Sequence, residues 1–329
     1  RGEGAYLDGR RPSVVTFGAT LAEDLGRRDF TMNALAYDPQ TRELIDLHHG
    51  QEDIARRVVR TVGDPVQRFS EDGLRPMRAV RQATQLGFDV DGPTLAAITS
   101  TLHVFQKVSA ERVRDELLKL LVAPSPSRGI ELMRQTGLLA EVLPEMIATI
   151  GCAQNRFHKH DVYQHSLATL DAVRPDPMLR LAALVHDVGK PATRAPREDA
   201  PDESSFFRHE DVGAEMVAVM AARLRLSRAE TDLLVSLVGH HMFYYTPDWT
   251  DGTVRRFVNR VKAERVPLLF ALREADIISR GRGEDPEGET RELRERIARV
   301  AAKDAALRIK DLAVDGRDVM RILGIPPGV

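Results

Sequence analysis

Asp72 and Arg75 stand three residues apart in the phrase SEDGLRPMRAVR, residues 70–81. On a helix that spacing places both side chains on one face, an acceptor beside a fork of donors. Adenine and cytosine each present an exocyclic amino group next to a bare ring nitrogen, so such a pair can read either base as a complementary edge. Uracil and guanine present the inverse pattern and would leave the pair unsatisfied, at about 1–3 kcal/mol per buried group. An isolated Asp-x-x-Arg is most often a surface ion pair worth less than about 1 kcal/mol. Here Arg75, Arg78 and Arg81 recur at every third position, a stripe suited to triphosphate oxygens. Between Ile54 and Arg81 there are seven basic residues against three acidic ones, whereas residues 1–130 carry eighteen of each, so the basic excess is local.

A second constellation lies between His158 and Asp276, where most of the ten histidines fall. His165 follows Val162 at helical spacing. Leu181, Leu184, Val185 and Val188 mark an apolar helix face beside His186 and Asp187, and Gly189 and Pro191 end that helix. His209 opens a helix with apolar positions Val212, Met216, Val219 and Met220. His240 and His241 close one that starts at the S-x-x-E box of Ser227 and Glu230. Asp276 sits on an apolar stripe with Leu268, Leu269 and Leu272, and a buried carboxylate needs a partner or a metal. Taken singly, each histidine reads more readily as a hydrogen-bonded core residue. Imidazoles and carboxylates on facing helices can also hold a first-row divalent metal and activate its water against a phosphate ester.

RRDFTMNALAYD at residues 27–38, followed by ELIDLHHGQEDI, VVRTVGDPVQRFSEDGLRPMRAVR and QLGF, resembles in order and spacing the class II tRNA nucleotidyltransferases, the family of CCA-adding enzymes and bacterial poly(A) polymerases. The resemblance implies that Arg28, Asp72, Arg75, Arg78 and Arg81 contact the incoming nucleotide, and that Asp29 and Asn33 read the ribose and order the pocket. It implies ATP and CTP as nucleotides, the tRNA 3′ acceptor end as partner, and transfer of CMP or AMP with two magnesium ions and release of pyrophosphate. The family's metal carboxylates form an Asp-x-Asp far upstream of the RRD phrase, and nothing of that kind precedes Arg27. With Arg rather than Met at position 1 and a family segment broken off near Val329, the expected reading is a fragment, one that would not add nucleotides alone without its metal clamp. Gln82 stands where the family usually has Phe, which reads as a packing change.

VYQHS, LAALVHDVGKPAT, FFRHEDVGAEM, GHHMFYYTPDWTDGTVRRFVNRV and LREADIISRG resemble the HD phosphohydrolase domain found in many of these enzymes. By that resemblance His165, His186, Asp187 and Asp276 are metal ligands, and His209 with His240 or His241 would serve a second ion. The metal would be a divalent transition ion whose identity the ligand set leaves open. Arg208 replaces the Gly that usually precedes the histidine at position 209. Some HD domains of the family hydrolyse cyclic or terminal phosphates and others are structural.

These residues need a mainly helical frame. Short strands are expected over 12–17, 43–47 and 57–62. A helix is expected from near Asp72 to about Gly87, which puts Pro76 among the first four residues, where N–H groups have no intrahelical partner. Ser109 precedes a helix facing inward through Val113, Leu117, Leu118 and Leu121; APSPSRG, residues 123–129, reads as a turn and Gly129–Gly137 as the next helix. GRGEDPEGE, residues 281–289, is the linker candidate. The fold expected is therefore mainly α. Residues 1–62 form the C-terminal part of an α/β nucleotidyltransferase head, and 63–150 a helical neck and body that select nucleotide and hold tRNA. Residues 151–283 form an all-α HD domain, and 284–329 begin a C-terminal helical tail. The single Cys152 excludes an intramolecular disulfide framework. No apolar run approaches 18 residues, so a cytoplasmic protein with no membrane contact is expected. The net charge of −2 does not announce a nucleic-acid binder. Poly(A) polymerase, a CC-adding or A-adding enzyme, a free-standing HD phosphohydrolase and a non-catalytic RNA-binding module remain alternatives.

Overall fold

In the computed structural model the described residues are 2–3, 15–16, 20–154, 160–196, 204–281, 283, 285–305 and 316–323. β1 (Gly2–Glu3) pairs antiparallel with β2 (Val15–Thr16), the only part of the expected 12–17 strand inside the described residues. α1 (Leu21–Gly26) starts from a capping box in which Thr20 and Glu23 satisfy each other's backbone N–H. After a 3-10 turn at Thr31–Asn33, β3 (Leu35–Asp38) forms a hairpin with β4 (Glu43–Asp46), Leu35 opposite Asp46 and Asp38 opposite Glu43. β3 is not among the expected strands, since LAYD contains no β-branched residue to signal one.

α2 (Gly50–Arg56) leads to β5 (Val58–Val59), which pairs in parallel with β6 (Asp89–Val90). The crossover between them contains α3 (Pro65–Glu71) and α4 (Arg75–Leu86). The expected helix start near Asp72 is corrected here. Asp72 is extended (φ −143°, ψ 106°) between two helices, and α4 begins at Arg75. Gly73 permits the break, because a Cβ there would lie 2.7 Å from the Val104 carbonyl oxygen. Pro76 falls in the first turn of α4, where its missing N–H is harmless, and Gly87 ends the helix at φ 66°.

α5 (Gly92–Ser100), α6 (Leu102–Phe105), α7 (Ala110–Leu121), α8 (Pro126–Thr136) and α9 (Leu138–Val142) build the next layer. α7 buries Val113, Leu117 and Leu121 with Leu120, while Leu118 is only partly covered. α8 starts at Pro126, ahead of the expected Gly129, because proline suits a helix's first turn.

α10 (Val162–Ala172) and α11 (Pro177–Val185) are capped by Asp161 and Asp176, which accept from Gln164 N at 2.7 Å and Leu179 N at 2.9 Å. Every residue from Met178 to Val185 is buried, so α11 has no solvent face, and it stops before His186. His186 and Asp187 therefore sit on the following turn, and the chain resumes in α12 (Lys190–Thr193) with Pro191 in its first turn. β7 (Ala195–Pro196) pairs with β8 (Ser204–Ser205). α13 (His209–Arg223) turns Gly213, Val217, Met220 and Ala221 inward; Val219 is exposed and Val212 and Met216 only partly covered, so its apolar face is rotated from the expected one. α14 (Arg228–His240) has the expected capping box. α15 (Asp251–Val261) and α16 (Val266–Ser279) follow, then α17 (Gly288–Ala305) and α18 (Gly316–Leu323). α17 begins inside the expected linker, buries Leu293 and Val300, and pairs Asp304 with Arg255 of α15 at 2.8 Å.

The mainly α fold class holds. One continuous apolar cluster runs from Phe30 through α4, α7 and α8 into α11, α13 and α16, and a second, small cluster joins Leu25, Ala34 and Val62. The tightest approach in this frame is at Gly189. A Cβ there would lie 2.2 Å from the His209 carbonyl oxygen and 2.7 Å from Gly213 N. Gly189→Ala should therefore destabilise the protein by about 1–3 kcal/mol through forced displacement. Gly92→Ala, with nothing near its Cβ, should stay within about 0.5 kcal/mol. Urea unfolding of the two variants compares them directly, and equal midpoints would remove the constraint at Gly189.

Candidate functional site

Two cavities collect most of the residues singled out by the sequence. The first, about 620 Å³, is lined by Arg27, Arg28, Asp29, Asn33, Asp72, Arg75, Arg78 and Gln82, a size suited to a small-molecule ligand. Its floor is organised by Asp29, which is buried. Oδ1 accepts from Phe30 N at 2.9 Å and Asn33 Nδ2 at 3.0 Å; Oδ2 accepts from Arg78 Nε at 2.9 Å. Burial pushes the Asp29 pKa up, but the Asn33 hydrogen bond and the Arg78 guanidinium outweigh it and hold the carboxyl below its ordinary value. Arg28 Nη1 donates to Asn33 O at 3.1 Å, tying the cavity's exposed arginine to the same turn.

Arg75 is held by three acceptors: Arg68 O at 2.9 Å, Glu71 at 2.7 Å and Arg27 O at 3.0 Å. That uses three donors of its five-donor fork, and Arg75 is among the residues lining the cavity. Asp72 Oδ1 accepts from Leu74 N at 3.0 Å and Oδ2 from Arg112 of α7 at 2.8 Å. The two residues thus share the cavity without sharing a helix face. Arg81 is not brought to it. Its guanidinium pairs with Glu116 of α7 and donates to Gln85 at 2.6 Å. At about 100° per residue, six residues separate Arg81 from Arg75 by roughly 120° around the helix, so a stripe at every third position cannot keep one face.

Sequence reasoning missed Arg27 and Gln82. Gln82 stands four residues after Arg78 and seven after Arg75, a spacing that marks the same helix face and could have found it. Read as a packing change, it is instead a polar wall residue, accepting from Asn33 Nδ2 at 3.2 Å.

The second cavity, about 190 Å³, is lined by Asp187, Lys190, Phe206, His209, His241, Met242, Asp276 and Arg280. His165 Nε2 lies 3.1 Å from Asp276 Oδ1 and 3.5 Å from Asp187 Oδ2; His186 Nε2 is 3.2 Å from Asp187 Oδ2. His209 Nε2 is 3.2 Å and His241 Nε2 3.6 Å from Asp187 Oδ1. The other ring nitrogens are committed. Nδ1 of His186, His209 and His241 faces the carbonyls of Ala183, Phe206 and Val238 at 2.7–2.9 Å. A carbonyl only accepts, so each Nδ1 carries the proton, and in the neutral form of each ring Nε2 is left with its lone pair inward, the arrangement a metal requires. His165 Nδ1 is likewise 3.0 Å from Ser279 Oγ. His240 is turned away, half-buried with Nδ1 2.8 Å from Ser236 O; His241, not His240, joins the cluster.

His165, His186 and Asp276 form one group, and His186, Asp187 and His241 another, whose ligand atoms lie within 4.8 Å of one another. His186 Nε2 is buried and, among the described residues, completes no hydrogen bond although Asp187 Oδ2 is near, so the donor set fits a metal. Lys190 Nζ, 2.6 Å from Asp187, and Arg273 and Arg280, 3.1 and 2.8 Å from Asp276, supply positive charge around the two carboxylates. Burial raises both carboxyl pKa values, but the positive charge that His186 takes up, with Lys190 at Asp187 and with His165 and Arg280 at Asp276, holds them well below the ordinary range, and the same carboxylates push the His186 pKa up despite its burial. Burial pushes His165 and His241 down toward the neutral form. The sequence signals for Lys190, Arg273 and Arg280 were available, at helical spacing from Asp187 and Asp276.

Three family profiles match successive stretches of the chain. Residues 1–60 match the profile of the poly A polymerase head domain, residues 87–149 that of the probable RNA and SrmB-binding site of polymerase A, and residues 162–303 that of the HD domain. The A-adding tRNA nucleotidyltransferase of Deinococcus radiodurans is 37% identical over 331 residues, 95% of this chain and 73% of that protein. The CCA-adding enzyme of Levilactobacillus brevis is 51% identical over 138 residues, 42% of this chain and 34% of that protein. The Bacillus stearothermophilus CCA-adding enzyme in complex with CTP superposes with a TM-score of 0.62 at 29% identity, over 95% of this chain and 67% of that one. No helix among the described residues is long and apolar enough to cross a membrane.

Asp29 gives the first cavity a defined pH response. A carboxyl whose folded pKa is depressed contributes stability above its unfolded pKa of about 3.9 and loses it as the pH falls through the lower folded value. Asp29→Asn should be less stable than the parent by about 1–3 kcal/mol near neutral pH. The difference should hold constant down to roughly pH 5 and narrow below roughly pH 4. Thermal melts from pH 7 to 3 measure it, and a gap that widens in acid contradicts the assignment.

Proposed function

This chain belongs to the class II tRNA nucleotidyltransferase family, in the form that carries an HD domain, and on that premise we propose that the first cavity selects ATP and CTP for addition to a tRNA 3′ end. The observation that carries the reading is the meeting of Arg27, Arg28, Arg75 and Arg78 with Asp29, Asn33 and Asp72 around one cavity. Fork-shaped guanidinium donors suit triphosphate oxygens, and the remaining acceptor of Asp72 beside Arg75 suits the amino-and-nitrogen edge shared by adenine and cytosine. In the transfer, the tRNA 3′ hydroxyl oxygen bonds to the α-phosphorus and the α–β bridge bond breaks, releasing pyrophosphate. Magnesium held by the family's Asp-x-Asp supplies charge neutralisation when bound; the residues of this chain hold base, sugar and phosphates. Helices α5–α9 would carry the acceptor end, in accord with the RNA-binding profile. An A-adding enzyme is the narrower form of this reading, favoured by the name of the relative matched over 95% of the chain.

For the second cavity we propose metal-dependent phosphohydrolysis. His165, His186, Asp187 and Asp276 would hold a first-row divalent ion, with His209 and His241 available to a second. Such an ion supplies a water of lowered pKa. Lys190, Arg273 and Arg280 keep the carboxylates ionised, and Lys190 and Arg280 line the cavity as donors for a phosphate.

In a chain joined to the family's Asp-x-Asp segment, Asp72→Ala should lower kcat/KM for ATP and CTP by about 10–100-fold, and discrimination against UTP and GTP should fall with it. Steady-state kinetics with all four nucleotides test the base-reading role, which unchanged selectivity would exclude. Incorporation of AMP but not CMP would establish the A-adding form. For the second cavity, metal analysis should find a transition ion that His186→Ala loses together with phosphatase activity, while CTP binding is retained. A protein that retains no metal, and that no added metal stabilises, would have a purely structural HD domain.

A further inference from the structure

Gln82 lies on the wall of the first cavity, and its orientation follows from Asp29. An ionised carboxylate only accepts hydrogen bonds, so Asn33 must turn its amide nitrogen toward Asp29 Oδ1, 3.0 Å away. The second proton of that nitrogen points at Gln82 Oε1, 3.2 Å away. Amide orientation is often ambiguous from atomic positions alone; here the carboxylate at the head of the series removes the ambiguity twice. Gln82 is left with its Nε2 donors, and Asn33 with its Oδ1 acceptor, without partners among the described residues. Both belong to residues lining the cavity.

A neighbouring acceptor and donor of this kind are both satisfied by one group that donates and accepts. A phosphate oxygen only accepts and would leave Asn33 Oδ1 unmatched. A hydroxyl meets both, giving its proton to Asn33 Oδ1 and taking one from Gln82 Nε2. The arginines and Asp72 occupy other parts of the lining and are matched to phosphates and base, so the group left for the amide pair is on the sugar. We propose that Gln82, with Asn33, reads a ribose hydroxyl of the bound nucleotide and makes the cavity prefer ribonucleotides over deoxyribonucleotides. This rests on the nucleotide reading of the cavity and adds to it a residue that the family motif does not contain.

The test is equilibrium binding of CTP, 2′-deoxy-CTP and 3′-deoxy-CTP to the 329-residue chain, for the parent and for Gln82→Met and Gln82→Glu. Methionine keeps much of the length without hydrogen-bonding groups. Glutamate keeps the acceptor toward Asn33 and removes the donor. The parent should bind CTP roughly 3–10-fold more tightly than one of the deoxy forms, the effect of a single net hydrogen bond, and both variants should lose that ratio. Thermal melts of each variant separate this from unfolding. If the parent binds CTP with no preference over either deoxy form, or either folded variant retains the preference, the role of Gln82 is overturned while the cavity's nucleotide reading stands. Equal weakening of all three ligands would also overturn it, assigning Gln82 to base or phosphate. Failure of the parent to bind any of them would instead sink the nucleotide reading itself.

Discussion

The Asp29 carboxylate is the contact on which the first site depends. It joins the turn after α1 to α4 through Arg78, residues far apart in sequence, and its other oxygen orders Asn33 and then Gln82. A buried carboxylate with fewer donors would rise in pKa and lose its charge. With a backbone N–H, an amide and a guanidinium it stays ionised, and an ionised group imposes one direction on every hydrogen bond downstream. Polar walls built this way are rigid before a ligand arrives, which reduces the ordering cost of binding.

Asp187 plays the corresponding part in the second site by a different route. It sits on a turn rather than a helix, since α11 ends at Val185. The turn can lie against the start of α13 only because Gly189 has no side chain. That approach brings His209 within 3.2 Å of Asp187. The backbone carbonyls of Ala183, Phe206 and Val238 then fix three imidazole tautomers, a second layer of order that the clustered side chains could not provide themselves.

Much of this was legible in the sequence where the signal is local. The S-x-x-E cap of α14, Gly87 at the end of α4 and the apolar face of α7 follow from backbone and packing rules that operate within one or two turns. The misreadings share a cause. Asp72 looked helical because the extended step between α3 and α4 depends on Gly73 meeting the Val104 carbonyl, a contact from outside the local phrase. Arg81 looked like a cavity residue because the Glu116 that turns it away is on another helix. The face of α13 was rotated because Gly213 and His209, not its largest apolar side chains, meet the neighbouring turn. Gln82 carried a helical-face signal that was read as packing, since an uncharged amide gives no charge pattern.

The two sites share one apolar core, and α7 is where they meet. Its Arg112 holds Asp72 of the first site, and its Glu116 holds Arg81 away from that site. Its C-terminal end faces the second region, where buried Arg180 of α11 donates to Leu121 O and to the Ala123 carbonyl just beyond the helix. Arg114 reaches the carbonyl of Arg225 between α13 and α14. Carbonyls at a helix end have no intrahelical donor, so Arg180 both satisfies them and favours the negative end of the helix dipole. A buried guanidinium is costly to strand, which makes this joint a fixed one rather than a sliding contact. The position of α7, and with it the orientation of Asp72 toward the first cavity, is therefore set in part by a residue of the helix that leads directly into His186 and Asp187.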